Sequence, residues 1–162
     1  MKRRLIITDA PLDEAALAAG RLVSGQMGAV VSFLGLVRGI ENGAPICALE
    51  YESFQRMAER QFELLFDEMA ARWPLESVRL AHRVGVVKVN EPSFWVEIVA
   101  PHRGEAFAAC QWLIGEMKRV VPIWKRPLTR GSANRRFPGK NRRARPCAHR
   151  LAPPEEGPEK PA

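Results

Sequence analysis

Two lysines, Lys118 and Lys125, bracket the apolar run in "MKRVVPIWKR", residues 117–126. A buried ammonium is costly unless an anion compensates it. Such lysines either reach out to water or face a site that takes negative charge. In the second case they serve as acid/base groups or electrostatic clamps.

Further cations stand at expected element ends. Arg38 closes the apolar run "VVSFLGLVRG" between Gly35 and Gly39, and glycines there permit close approach of a ligand or backbone. "PHRGEAF" puts His102 and Arg103 where a strand ends and a helix begins, a natural anion site. A plain capping or packing role for His102 stays open. His82 and Arg83, in "AHRVG", read as strand residues facing a neighbour or solvent. Arg38, His102, Arg103, Lys118 and Lys125 have no evident carboxylate partner in the pattern. The set suits a substrate with several negative charges, either a phosphate ester or a carboxyl-terminal peptide. There is no Walker motif, GxGxxG or HExxH. Cys47, Cys110 and Cys147 form no CxxC pair and are odd in number, so neither a metal site nor a disulfide framework is expected. No cofactor is expected either.

The chain has 162 residues, enough for one domain with a real core. No apolar run approaches the ~18–20 residues of a membrane span. The apolar run near the N-terminus is too short for a secretory signal, which points to a cytoplasmic protein. The net charge of +7 is local. Residues 1–124 hold 14 Lys and Arg against 15 Asp and Glu, whereas residues 125–150 hold 10 and none. The basic character therefore belongs to a tail.

The elements that must position the cations follow from periodicity. "RLIITD" predicts a strand, and "DAPLDEAALAAGRLV" a helix capped by Asp9. "GAVVSFLGLVRG" and "ICALEYE" predict two strands joined as a hairpin through "ENGAP". "SFQRMAERQFELLFDEMAARW" predicts an amphipathic helix capped by Ser53, with Phe54, Met57, Ala58, Leu65 and Met69 on its apolar face. "SVRLAHRVGVVKV" and "SFWVEIVA" predict two more strands, and "HRGEAFAACQWLIGEMKRVVP" a second long helix stopped at Pro122. The order is that of an α+β domain with a mixed or antiparallel sheet and two long helices. With Phe107 as the zero of a helical wheel, Lys118 falls at about 20°, inside the apolar stripe. A last-turn lysine favoured by the helix dipole and snorkelling past its neighbours is the alternative to a pocket lysine. Pro122 turns the chain so that Lys125 can come back towards Lys118, with Trp124 packing the turn down.

Five segments, "GAVVSFLGLVRG", "LEYES" with "MAE", "HRVGVVKVNE", "APHRGEAFAACQWLIGEMK" and "VPIWK", resemble in order and spacing the large, catalytic subunit of molybdopterin synthase. The resemblance covers roughly residues 4–126. It implies an α/β hammerhead-type fold and a homodimer. It also implies a ubiquitin-like small subunit per protomer, whose C-terminal Gly-Gly thiocarboxylate threads into a pocket. The implied reaction transfers sulfur to cyclic pyranopterin monophosphate and makes the molybdopterin dithiolene. On this resemblance Lys118 and Lys125 carry the chemistry. Leu36, Val37, Arg38, His102, Arg103, Arg126 and Pro127 join them around the substrate. Pro127 stands where the family pattern has an acid.

The division expected is a domain over residues 1–126 and a basic, Pro- and Arg-rich extension over 127–162, disordered from about residue 140. Two rival readings remain. One is a nucleic-acid-binding module acting through that extension, and the −1 balance of the preceding residues disfavours it. The other is a scaffold dimer without catalysis. No membrane partner is expected.

Overall fold

The computed structural model describes residues 1–129. The elements run β1 (Lys2–Thr8), α1 (Glu14–Ala19), β2 (Ala29–Leu36), β3 (Ile40–Glu41), β4 (Ala44–Pro45) and β5 (Ala48–Ser53). They continue through α2 (Gln55–Arg72), β6 (Ser77–Arg83), β7 (Gly85–Lys88), β8 (Pro92–Ala100), α3 (Arg103–Val120) and β9 (Ile123–Leu128). The α+β class, the mixed sheet and the two long helices are as expected. The basic extension beyond residue 129 and Cys147 lie outside the described residues.

Four strands form one sheet in the order β1-β6-β8-β2. β1 is parallel to β6, and the other pairs are antiparallel. Three strands, β7-β5-β9, form a second, antiparallel sheet. α2 and α3 pack on the larger sheet. α2 buries Ala58, Phe62, Leu65, Phe66 and Met69, and α3 buries Ala106, Ala109, Cys110, Leu113 and Met117. These side chains meet Val78, Leu80, Val96 and Ile98 of the sheet. Burying each large apolar side chain is worth about 1.5–3 kcal/mol.

The structure corrects the connectivity. β2 pairs with β8, not with β5. The "ENG" turn closes only the two-residue hairpin β3–β4, through Asn42 and Gly43 at φ 51° and 78°. Both positive φ values are what a two-residue primed turn needs. β5 then departs to the second sheet. "SVRLAHRVGVVKV" is likewise two strands in two sheets, broken where Gly85 takes φ 77°. α1 is capped by Asp13, whose carboxylate accepts from the Ala16 N–H at 3.0 Å, and not by Asp9. Ser53 belongs to β5 and caps nothing; Phe54 is the N-cap of α2. Phe54 and Met57 are exposed, because the apolar face of α2 is centred on Phe62 and Phe66. Past the turn expected at Pro122, Ile123–Leu128 form strand β9, which pairs with β5 and includes Arg126 and Pro127.

One missed feature stabilises the sheet from within. Glu97 on β8 is fully buried and accepts from Arg79 on β6 at 3.1 Å and from Arg21 Nε at 2.8 Å. A buried carboxylate needs such partners.

Gly28 fixes the start of β2 against the end of β8. Its N–H donates to the Pro101 carbonyl at 3.1 Å, and an added Cβ would lie 2.8 Å from that same oxygen. Backbone cannot give way as a side chain does. Gly28→Ala is therefore expected to lose about 1–3 kcal/mol in denaturant unfolding. Gly25→Ala, with nothing within 4 Å of its added Cβ, stays within about 0.5 kcal/mol of the parent. Equal losses at both positions would contradict this packing.

Candidate functional site

Arg38 and Lys125 come together at one end of the molecule. β2 ends at Leu36, and Val37 is held by its N–H to the Glu91 carbonyl at 3.1 Å. Val37 is buried with Leu49 and Val87, which leaves Leu36 and Arg38 exposed on either side. β9 lies antiparallel to β5, with Lys125 opposite Tyr51, Arg126 opposite Glu50 and Pro127 opposite Leu49.

A carboxylate joins the two cations. Lys125 Nζ donates to Glu41 Oε1 at 2.6 Å, and Arg38 Nη2 lies 3.8 Å from Glu41 Oε2. The hydrogen bond from Lys125 holds the Glu41 carboxyl below the usual carboxylate range; partial desolvation opposes it, and the charges of Lys125 and Arg38 assist. Arg126 pairs with Glu50 across the β5–β9 ladder. The expected absence of carboxylate partners is thus corrected for Lys125 and Arg38.

Behind this cluster runs a buried polar chain. Tyr51 Oη donates to Ser93 Oγ at 3.3 Å, and Ser93 Oγ donates to the Gly35 carbonyl at 3.2 Å. His82 is buried, with its ring against Tyr51 and Phe94. Burial pushes its pKa down, so at neutral pH it is an uncharged packing residue. Arg83 pairs with Glu91 at 2.9 Å.

His102 and Arg103 are elsewhere. His102 is the N-cap of α3 without a side-chain capping bond, and Arg103 is the first helical residue; both are exposed. Lys118 lies fifteen residues further along the same helix, which at 1.5 Å per residue is ~22 Å away. The strands agree. Ala29 pairs with Ala100 at the His102 end, and Leu36, seven residues further along β2, pairs with Pro92 at the other end. Within one protomer the five expected cations are not one group: His102 and Arg103 stand at one end of the sheet, and Arg38 and Lys125 meet at the other.

Lys118 is not in the apolar stripe. Phe107, the reference of the wheel, is 62% exposed, and the buried stripe is centred nearer Leu113 and Ala106. Lys118 lies on the exposed flank of the last turn, where the helix dipole favours a cation. Only Val121 and Pro122 separate α3 from β9, so Lys118 and Lys125 flank a single tight connection. Trp124 is 61% exposed and does not pack that connection down.

Exposed cations on rigid elements can bind an anion and polarise it. Among the described residues, no group of three or more His, Cys, Asp or Glu could hold a metal ion. No described helix is long and apolar enough to cross a membrane. Cys47 and Cys110 are free thiols, and burial raises the pKa of Cys110.

Known proteins carry the same frame. Residues 7–120 match the family described as MoaE protein. The molybdopterin synthase catalytic subunit of Pyrococcus abyssi is 39% identical over 106 residues, 65% of this chain and 72% of the archaeal one. That of Vibrio cholerae is 37% identical over 114 residues, 70% and 73% of the two chains. The crystal structure of molybdopterin synthase from Staphylococcus aureus superposes with a TM-score of 0.69 at 29% identity, over 79% of this chain and 91% of that one. A complex of subunits 1 and 2 of molybdopterin-converting factor from Helicobacter pylori shares the fold, with a TM-score of 0.59 at 22% identity over 78% and 84%. The match over most of the described chain and the relatives at this identity make the chain a member of the MoaE protein family.

Proposed function

We propose that this chain is the catalytic subunit of a molybdopterin synthase. It takes sulfur from the C-terminal thiocarboxylate of a small ubiquitin-like subunit and transfers it to cyclic pyranopterin monophosphate, forming the dithiolene. The observation that carries the reading is the family match over residues 7–120, which spans Arg38, His102, Arg103 and Lys118. Lys125 follows two residues into β9, in hydrogen-bonding reach of the same carboxylate that Arg38 approaches.

Each group has a role that its chemistry fits. The thiocarboxylate sulfur is already nucleophilic, so the protein must hold the glycyl tail beside the pterin side chain. Lys118 stabilises the developing negative charge and donates protons, and Lys125 assists it. Leu36, Arg38, Arg126 and Pro127 line the tail's approach, and Val37, buried behind them, fixes Leu36 and Arg38 on either side. His102 and Arg103 anchor the phosphate at the start of α3.

The ~22 Å between Arg103 and Lys118 is too long for one small phosphate ester to touch both in a single protomer. A two-fold homodimer resolves this if each site takes Lys118 and Lys125 from one protomer and His102 and Arg103 from its partner. The working particle is then a cytoplasmic heterotetramer with two small subunits.

Arg103→Ala tests the reading. Losing a charge-assisted hydrogen bond worth about 1.5–3 kcal/mol weakens substrate binding roughly ten- to a hundredfold in calorimetry, while docking of the small subunit changes less. Mixing and re-forming dimers from Arg103→Ala and Lys118→Ala chains restores about a quarter of the parental activity, since half of the dimers then hold one intact site. Unchanged substrate affinity with lost partner binding would reverse the roles assigned to these cations. No recovery on mixing would place the whole site within one protomer.

A further inference from the structure

Glu41 has no role in the reading above, yet it is the least exposed charged group of the cation cluster. Its side chain is 12% exposed, against 51% for Lys125 and 80% for Arg38. The acid is therefore the anchor, and the cations are the arms that reach solvent. Its backbone is also fixed. Glu41 directly precedes the Asn42–Gly43 turn and pairs with Ala44, and the Ile46 N–H closes the hairpin on the Gly39 carbonyl at 2.9 Å. The two-residue primed turn permits little freedom. A long, flexible lysine otherwise spreads its ammonium over many rotamers.

We propose that Glu41 is a positioning residue for sulfur transfer, fixing the Lys125 ammonium from the rigid β3–β4 hairpin. This rests on the functional reading given above. Glu41 touches neither substrate nor reacting atoms; it acts through Lys125. A partly exposed ion pair contributes little to folding stability. The signature of its role is therefore catalytic, appearing in turnover and not in melting.

Two measurements test it. In steady-state sulfur transfer by the full complex, Glu41→Gln lowers kcat at least about tenfold and leaves KM for the pterin substrate within about threefold. Glu41→Asp, which keeps the charge on a shorter arm, recovers part of the loss. In a Lys125→Arg background, where the cation is already displaced, Glu41→Gln lowers kcat by less than about threefold. The second measurement needs no sulfur transfer. Acylation of the protein by a neutral reagent, mapped by peptide mass spectrometry, speeds up at Lys125 in Glu41→Gln and is unchanged at Lys88. Equal losses in both lysine backgrounds, a loss carried by KM, or unchanged labelling at Lys125 overturns the proposal. If the parental chain makes no dithiolene, the functional reading fails and the catalytic role of Glu41 falls with it. The labelling result then stands alone as evidence on the ion pair.

Discussion

Lys118→Ala is expected to abolish dithiolene formation while leaving the fold and the oligomeric state of the protein unchanged. The size follows from the role. A positioned acid or base contributes about a hundred- to ten-thousandfold, and loss of a charge that stabilises the transition state acts in the same direction. The fold tolerates the change because Lys118 is exposed on the flank of α3. No described hydrogen bond or ion pair holds it, and exposed substitutions of this kind stay within about 0.5 kcal/mol. Turnover, circular dichroism and dimer mass are measured on the same preparation. Wild-type turnover would leave Lys118 as an ordinary last-turn lysine complementing the helix dipole.

The second large effect lies in the partner. A small subunit lacking its last two glycines is expected to dock through its globular surface but to transfer no sulfur. Exposed apolar groups stand where β5 ends and β9 begins: Phe54, Met57 and Trp124 are 58%, 51% and 61% exposed. They remain available whether or not the tail is present. Two glycines span about 7 Å when extended, and without them the donor sulfur cannot reach the lysines. Effective molarity is lost altogether, not reduced. Binding by calorimetry and transfer by product mass are compared for the full-length and shortened partners. Equal transfer from the shortened partner would remove the threaded tail from the mechanism.

The sequence carried the elements well and their partners poorly. α2, α3, β2 and β8 follow from periodicity and from prolines at the ends, which are local properties of the chain. The pairing of β2 with β8 is not local. "ENG" announces a tight turn, but nothing near it shows that the turn closes only two residue pairs before β5 leaves for another sheet. The placement of Lys118 failed for a different reason. A wheel referred to Phe107 assumes that an aromatic residue is buried, and Phe107 is 62% exposed.

The cations themselves were legible as residue types at element ends. Their grouping was not, because it depends on helix length. Arg103 and Lys118 read as neighbours in a list of basic residues, yet α3 holds them at opposite ends. Glu41 was invisible for a similar reason. It reaches Lys125 across 84 positions of sequence, and only the β3–β4 hairpin and the β5–β9 pairing bring the two together. Its one local signal was an acid placed immediately before an Asn-Gly turn.

Sulfur transfer by this chain can be tested in a single reconstitution. The purified chain is incubated with a thiocarboxylated small subunit and cyclic pyranopterin monophosphate, and the pterin product is weighed by mass spectrometry. The expected product has gained two sulfurs, with matching loss of thiocarboxylate from the small subunit and dependence on this chain. A pterin left without sulfur while the small subunit binds normally would contradict it, leaving a scaffold that docks the sulfur carrier and catalyses nothing.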